Sequence, residues 1–138
     1  MKILNTYLVE DSPVIRASLI MALEELSPVK VVASAETEVE ANAWLLDGGH
    51  QVDLVIIDVF LKSGSGLGVL KSMHEAALAS GCQLVVLTNY ATIDIRRRCL
   101  ALGAARVFDK SHDLDALINY CNKLAAEEPD ITAPSLLV

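Results

Sequence analysis

The sequence is poor in aromatic residues, has no apolar run long enough to cross a bilayer, and carries no excess of positive charge. Aromatics make up 4% of its 138 residues while hydrophobic residues make up 53%. A core must therefore be built from Val, Ile, Leu and Ala, and disorder is excluded. Charged residues interrupt every apolar stretch well short of the ~20 residues of a spanning helix. Residues 1–6, MKILNT, lack the apolar segment and small-residue cleavage site of a secretory signal. A cytoplasmic protein without membrane association is expected. The net charge of −7 argues against direct nucleic-acid binding, which needs a basic face. The one basic run, Arg96-Arg97-Arg98, falls in a helical pattern and reads first as a solvated face. The three cysteines, Cys82, Cys99 and Cys121, are odd in number and match no metal spacing. Each lies in or beside an apolar segment, as buried free thiols in a reducing compartment do.

What the sequence does contain is a regular alternation. Short β-rich runs at 3–9, 29–33, 52–57, 83–87 and 105–108 alternate with longer amphipathic stretches. Several runs are almost continuously apolar, the pattern of strands buried on both faces. The first helix opens at Ser12-Pro13, a capping residue followed by proline at the first helical position. Its apolar set is Ile15, Leu19, Ala22, Leu23 and Leu26. The second opens near Thr37, with Glu38 and Glu40 in its first turn and a left-handed stop at Gly48-Gly49. The third spans about 66–79 and the fourth 93–102, with Gly103 as its stop. The fifth carries Leu114, Leu117, Ile118, Cys121 and Leu124. Five βα units in succession predict an α/β domain with a parallel sheet and helices on both faces, over residues 1–126. Residues 127–138 read as a carboxyl-terminal tail.

Polar residues stand at the ends of the predicted strands. The first is followed by Glu10-Asp11, the third by Asp58, the fourth by Thr88 and the fifth by Asp109-Lys110. In a parallel sheet these positions share the carboxyl edge, where open α/β folds place their sites. Three carboxylates in one cleft either raise a pKa or recruit a cation. An all-oxygen set with few carboxylates suits Mg²⁺. Lys110 adds a compact positive charge and Thr88 a hydroxyl. A carboxylate nucleophile, a divalent ion, a lysine and a hydroxyl are the parts needed to receive a phosphoryl group. Singly, each has a plainer role, as helix cap, turn residue or surface charge. Jointly they form a constellation.

These residues resemble the bacterial receiver family of two-component signalling. The resemblance covers about residues 6–126 and is carried by Leu8-Val9-Glu10-Asp11-Ser12, Asp58-Val59-Phe60-Leu61 with Gly64-Ser65-Gly66-Leu67, Val86-Leu87-Thr88-Asn89-Tyr90 and Val107-Phe108-Asp109-Lys110. It implies a doubly wound (βα)5 flavodoxin-like fold with strand order 2-1-3-4-5. It implies Asp58 as phosphoacceptor, and Glu10, Asp11, Asp58 and the Phe60 backbone carbonyl as Mg²⁺ ligands. Thr88 and Lys110 would contact the phosphoryl group, and Thr88 with Tyr90 would form the switch. Its partners would be a histidine kinase or phosphotransfer protein, a downstream protein target and a second copy of itself in a homodimer. It would be no enzyme beyond its own phosphorylation and autodephosphorylation.

Three positions depart from the family pattern. Ser111 follows the lysine where proline is usual, Lys62 stands where proline is common, and Asn89 replaces a small residue. Phe60, Asn89 and Tyr90 are expected to shield an acyl phosphate from water. The output surface is expected on the face of Arg96, Arg97, Arg98 and the last helix. The alternatives are a receiver-like adaptor that is never phosphorylated and the amino-terminal part of a DNA-binding transcription regulator. With the sequence ending at Val138, a stand-alone regulator is expected. An aspartyl phosphohydrolase would need an acid two residues after Asp58, where Phe60 stands. A nucleotide-binding flavodoxin-like protein would need a glycine-rich first loop, which here is acidic.

Overall fold

A computed structural model describes residues 2–76 and 81–126. Five strands alternate with five helices: β1 Leu4–Val9, α1 Pro13–Leu26, β2 Val29–Ala35, α2 Glu38–Leu45, β3 Leu54–Ile57, α3 Gly66–Glu75, β4 Gln83–Thr88, α4 Ile93–Ala101, β5 Arg106–Asp109 and α5 Leu114–Ala125. The strands form one parallel sheet in the order β2-β1-β3-β4-β5. Successive side chains of a strand point to opposite faces, and the core divides accordingly. Val9, Val55, Ile57 and Val86 pack with Ala41, Leu45, Val69, Leu70, Met73 and Cys99 of α2, α3 and α4. Leu8, Leu54, Ile56, Val85, Leu87 and Phe108 pack with Leu19, Leu23, Leu117, Ile118 and Cys121 of α1 and α5. Helices therefore cover both faces. All three cysteines are free and buried. Burial pushes the Cys82 thiol up to about 11 and that of Cys121 up to about 12, so neither is a ready nucleophile.

Hydroxyl caps start four of the helices just beyond the carboxyl edge. Ser12 Oγ accepts from the Ile15 amide (3.3 Å) with Pro13 behind it, and Thr37 Oγ1 accepts from Glu40 (3.2 Å). Ser65 Oγ accepts from Leu67 (3.0 Å) and Thr92 Oγ1 from Ile95 (3.2 Å). Each cap satisfies an amide that the first helical turn leaves without a partner.

Several boundaries differ from those expected. β2 continues through Ser34 and Ala35 because these pair with Leu8 and Val9, and a register shift beside Val32 keeps the pairing going. β3 begins at Leu54 rather than Val52. α2 ends at Leu45, its last buried position, so Gly48 (φ 80°) lies in the turn beyond it. Gly103 (φ 98°) does follow α4 as expected. In α1 only Leu19 and Leu23 of the predicted apolar set are buried; Ile15 and Leu26 are exposed. The expected end of α3 at residue 79 and the tail at 127–138 lie outside the described residues. Among the described residues no helix is long and apolar enough to cross a membrane.

Candidate functional site

The strand order places β1 between β2 and β3, so the crossovers leave β1 in opposite directions. A crevice opens at that reversal, above the carboxyl ends of β1 and β3. Val9 pairs with Ile57, which brings Glu10 and Asp11 beside Asp58. Side-chain oxygens of Glu10, Asp11 and Asp58 lie within 4.8 Å of one another. Thr88 ends β4, and its carbonyl accepts from the Lys110 amide (2.9 Å), which docks the β5 end onto β4. The cleft encloses about 200 Å³ and is lined by Glu10, Asp11, Ile15, Asp58, Phe60, Thr88, Asn89, Tyr90 and Lys110. Every site residue named from the sequence lines it. Ile15, expected in the core, instead stands at its mouth.

Charge is distributed unevenly in this cleft. The Lys110 ammonium donates to Glu10 Oε1 and to Asp58 Oδ2, the latter at 2.8 Å. Glu10 Oε2 accepts from the Ser12 amide (3.0 Å), and Asp58 Oδ1 from the Phe60 amide (3.2 Å). Glu10 and Asp58 are buried, and Asp11 is half-buried. Burial pushes the Glu10 carboxyl above its ordinary value, and the bonds from Lys110 and Ser12 offset this only in part. Burial also works against the Lys110 ammonium, but its bonds to Asp58 and Glu10 outweigh it and hold its pKa above the usual lysine value. With Asp11 included, three carboxylates face one ammonium. The cleft has room and an excess of negative charge for a divalent cation.

The mouth is aromatic. The Phe60 and Tyr90 rings meet edge to face with centroids 5.0 Å apart, and both are exposed. Thr88 is fully buried, and its Oγ1 accepts from the Tyr90 amide (3.3 Å). Position 111 has no proline, and hydrogen bonds hold the loop after β5. Asp109 Oδ1 accepts from the Ser111 amide (2.7 Å), and Asp113 Oδ2 accepts from the Asp109 amide (2.9 Å). The Ser111 amide in turn holds the Asp109 carboxyl below its ordinary value. Behind the site, Arg16 Nη1 joins the Glu10 carbonyl (3.2 Å) to Glu36 (2.8 Å). Nothing in the sequence marks Arg16 for that role, since any first-turn arginine of a helix looks alike.

The basic run needs a correction. Arg97 and Arg98 are solvated, but Arg96 folds inward. Its Nε donates to the Ala91 carbonyl (3.0 Å) and its Nη1 to the Val107 carbonyl (3.0 Å), while Nη2 lies 3.8 Å from Asp113. Arg96 therefore ties the loop after β4 to β5 and to the start of α5. We expect Arg96→Ala to cost about 2 kcal/mol in urea unfolding. Arg97→Ala and Arg98→Ala should stay within about 0.5 kcal/mol. Equal effects from all three would refute the division.

A profile of the response regulator receiver domain matches residues 6–122. The chain belongs to the response regulator receiver family. As a receiver it is a signalling domain of two-component systems rather than an ordinary enzyme. Response regulator UvrY of Escherichia coli O6:H1 is 27% identical over 108 residues, covering 78% of this receiver and 47% of UvrY. The receiver thus spans about half the length of the curated relatives it matches. The receiver domain of the putative response regulator NarL from Mycobacterium tuberculosis superposes with a TM-score of 0.78 at 18% identity, over 93% of this chain and all of that one. The receiver domain of sensor histidine kinase PA1611 from Pseudomonas aeruginosa PAO1, solved with magnesium in its active-site cleft, gives 0.74 at 18% identity, over 90% and 98% of the two chains.

Proposed function

We propose that this receiver accepts a phosphoryl group on Asp58 from a phosphohistidine of a histidine kinase or phosphotransfer protein, with Mg²⁺ as cofactor. The observation that carries this is the convergence of three carboxylates on a cleft whose one ammonium, Lys110, is shared between Glu10 and Asp58. Glu10, Asp11, Asp58 and the Phe60 carbonyl would hold the ion, a hard oxygen donor set of the kind Mg²⁺ prefers. The magnesium of PA1611 supports that choice. When bound, the ion supplies charge neutralisation for the transferred group.

The remaining steps belong to the chain. An Asp58 carboxylate oxygen attacks phosphorus; the new O–P bond forms as the P–N bond to the donor imidazole breaks, and the imidazole keeps the electron pair. Lys110 follows the charge, exchanging part of its hold on Asp58 for a phosphoryl oxygen. Thr88 turns its hydroxyl to donate to another phosphoryl oxygen. That turn removes the acceptor that now holds the Tyr90 amide, and Tyr90 is free to move with its loop. The signal is then a shift between two arrangements of the loop after β4, read by a protein partner. Phe60, on the loop after Asp58, stays at the mouth and slows attack by water.

Incubation with acetyl phosphate and Mg²⁺ should add the mass of one phosphoryl group, and EDTA should prevent it. No mass gain from acetyl phosphate or from a phosphohistidine donor would overturn the proposal in favour of a receiver that binds partners without phosphorylation.

A further inference from the structure

Glu38 opens α2, where an acidic residue ordinarily serves its own helix dipole. Here its side chain reaches across to the loop that follows Asp58. Its Oε1 accepts from the Ser65 amide (2.8 Å), and its own amide donates to the Ser63 carbonyl (3.2 Å) beside a bridge between Thr37 and Ser63. Two glycines make this approach possible. A Cβ on Gly64 would fall 2.5 Å from the Glu38 Cβ, and one on Gly68 would fall 2.2 Å from Glu38 Oε2. Neither position admits a side chain while Glu38 stays where it is.

What Glu38 holds is connected to the site. Ser65 pairs with Phe60 in an antiparallel bridge, its Oγ donates to the Val59 carbonyl (3.3 Å), and the Gly66 amide donates to the same carbonyl (2.8 Å). The Phe60 amide in turn donates to Asp58 Oδ1. The loop from 59 to 66 is thus closed on itself at Phe60 and Ser65 and pinned from outside at Ser63 and Ser65. The carboxylate also meets the amino-terminus of α3, where negative charge is favourable.

We propose that Glu38 is a positioning residue for the acceptor loop. Acting through Ser65, it fixes Phe60, so that the Phe60 amide stays on Asp58 and the Phe60 carbonyl stays presented to the cation. The part concerning the cation rests on the Mg²⁺ reading above; the part concerning the loop does not. Partners that orient metal-binding groups from outside the ligand set carry much of a site's affinity.

Three variants test it in the intact chain. Glu38→Ala should shift the Phe60 amide resonance in metal-free protein and weaken Mg²⁺ binding, measured by calorimetry, by about tenfold. At saturating Mg²⁺ the rate of phosphorylation by acetyl phosphate should return to within about twofold of the parent, since the loss lies in affinity. Glu38→Gln keeps an acceptor for Ser65 and should restore both readouts. Gly68→Ala should reproduce Glu38→Ala by displacing the carboxylate, yet add nothing in the Glu38→Ala background. Unchanged Mg²⁺ affinity and an unmoved Phe60 resonance in Glu38→Ala, even with a lower Tm, would overturn the proposal. Should the parent protein bind no Mg²⁺, the functional reading falls, and the Phe60 resonance with the Gly68→Ala cycle still decides what Glu38 does.

Discussion

Asp58→Asn should abolish phosphoryl incorporation and leave the fold intact. The amide keeps the shape of the side chain, but its single oxygen can accept from only one of Lys110 and Phe60, which donate to different Asp58 oxygens at 2.8 Å and 3.2 Å. What it loses is the anionic oxygen that the proposed transfer needs as nucleophile. The change also removes one of three crowded negative charges, and this offsets the weaker bond to Lys110. Its stability in urea should therefore lie within about 1 kcal/mol of the parent. Intact-mass measurement after incubation with acetyl phosphate and Mg²⁺ reads the first effect, and urea unfolding reads the second. A full label on Asp58→Asn would mean that another residue is the acceptor.

Lys110→Met should be the most destabilising single change in the cleft. The Lys110 side chain is 10% exposed, against 1% for Glu10 and 8% for Asp58. Breaking a buried ion pair by removing one partner costs about 3–5 kcal/mol, because the remaining charge is left buried and uncompensated. Here two carboxylates lose the same partner. The methionine fills the volume, so the loss is electrostatic rather than a cavity effect. Mg²⁺ should narrow the difference from the parent, since the two carboxylates freed of Lys110 bind a cation more tightly and gain more from mass action. Urea midpoints of both proteins with Mg²⁺ and with EDTA measure this. A variant as stable as the parent in EDTA would show that Lys110 is not the charge that holds the cleft together.

The two predictions differ in how far the sequence supports them. Asp58 follows Leu54-Val55-Ile56-Ile57, four residues that are all buried, and a strand buried on both faces announces itself as a continuous apolar run. The same logic located Glu10 and Thr88, and Ser12 and Thr37 marked where the first two helices begin. Lys110 was placed at a strand end, but its sharing between Glu10 and Asp58 joins positions 100 and 52 residues apart. No local pattern carries such a pairing.

The errors and omissions have the same origin. Arg96, Arg97 and Arg98 are chemically identical, and only packing against Ala91, Val107 and Asp113 turns one of them inward. Ile15 shares the helical spacing of Leu19, yet it lies beyond the end of the sheet, where there is no core to enter. Glu38 looked like a dipole-favouring acid of its own helix until Gly64 and Gly68 were seen to open the space beneath it. β2 was underestimated because Ser34 and Ala35 favour strands weakly by themselves and are held by Leu8 and Val9.

For this receiver, the sequence by itself determined the alternation of elements and the polar residues at the carboxyl ends of the strands. Both follow from side-chain periodicity and capping, which act over a few residues. The tertiary structure alone decided which charges are paired, which arginine is structural and which glutamate holds the loop after Asp58. Those outcomes depend on burial and on contacts between distant segments, and neither exists until the sheet and its helices have packed.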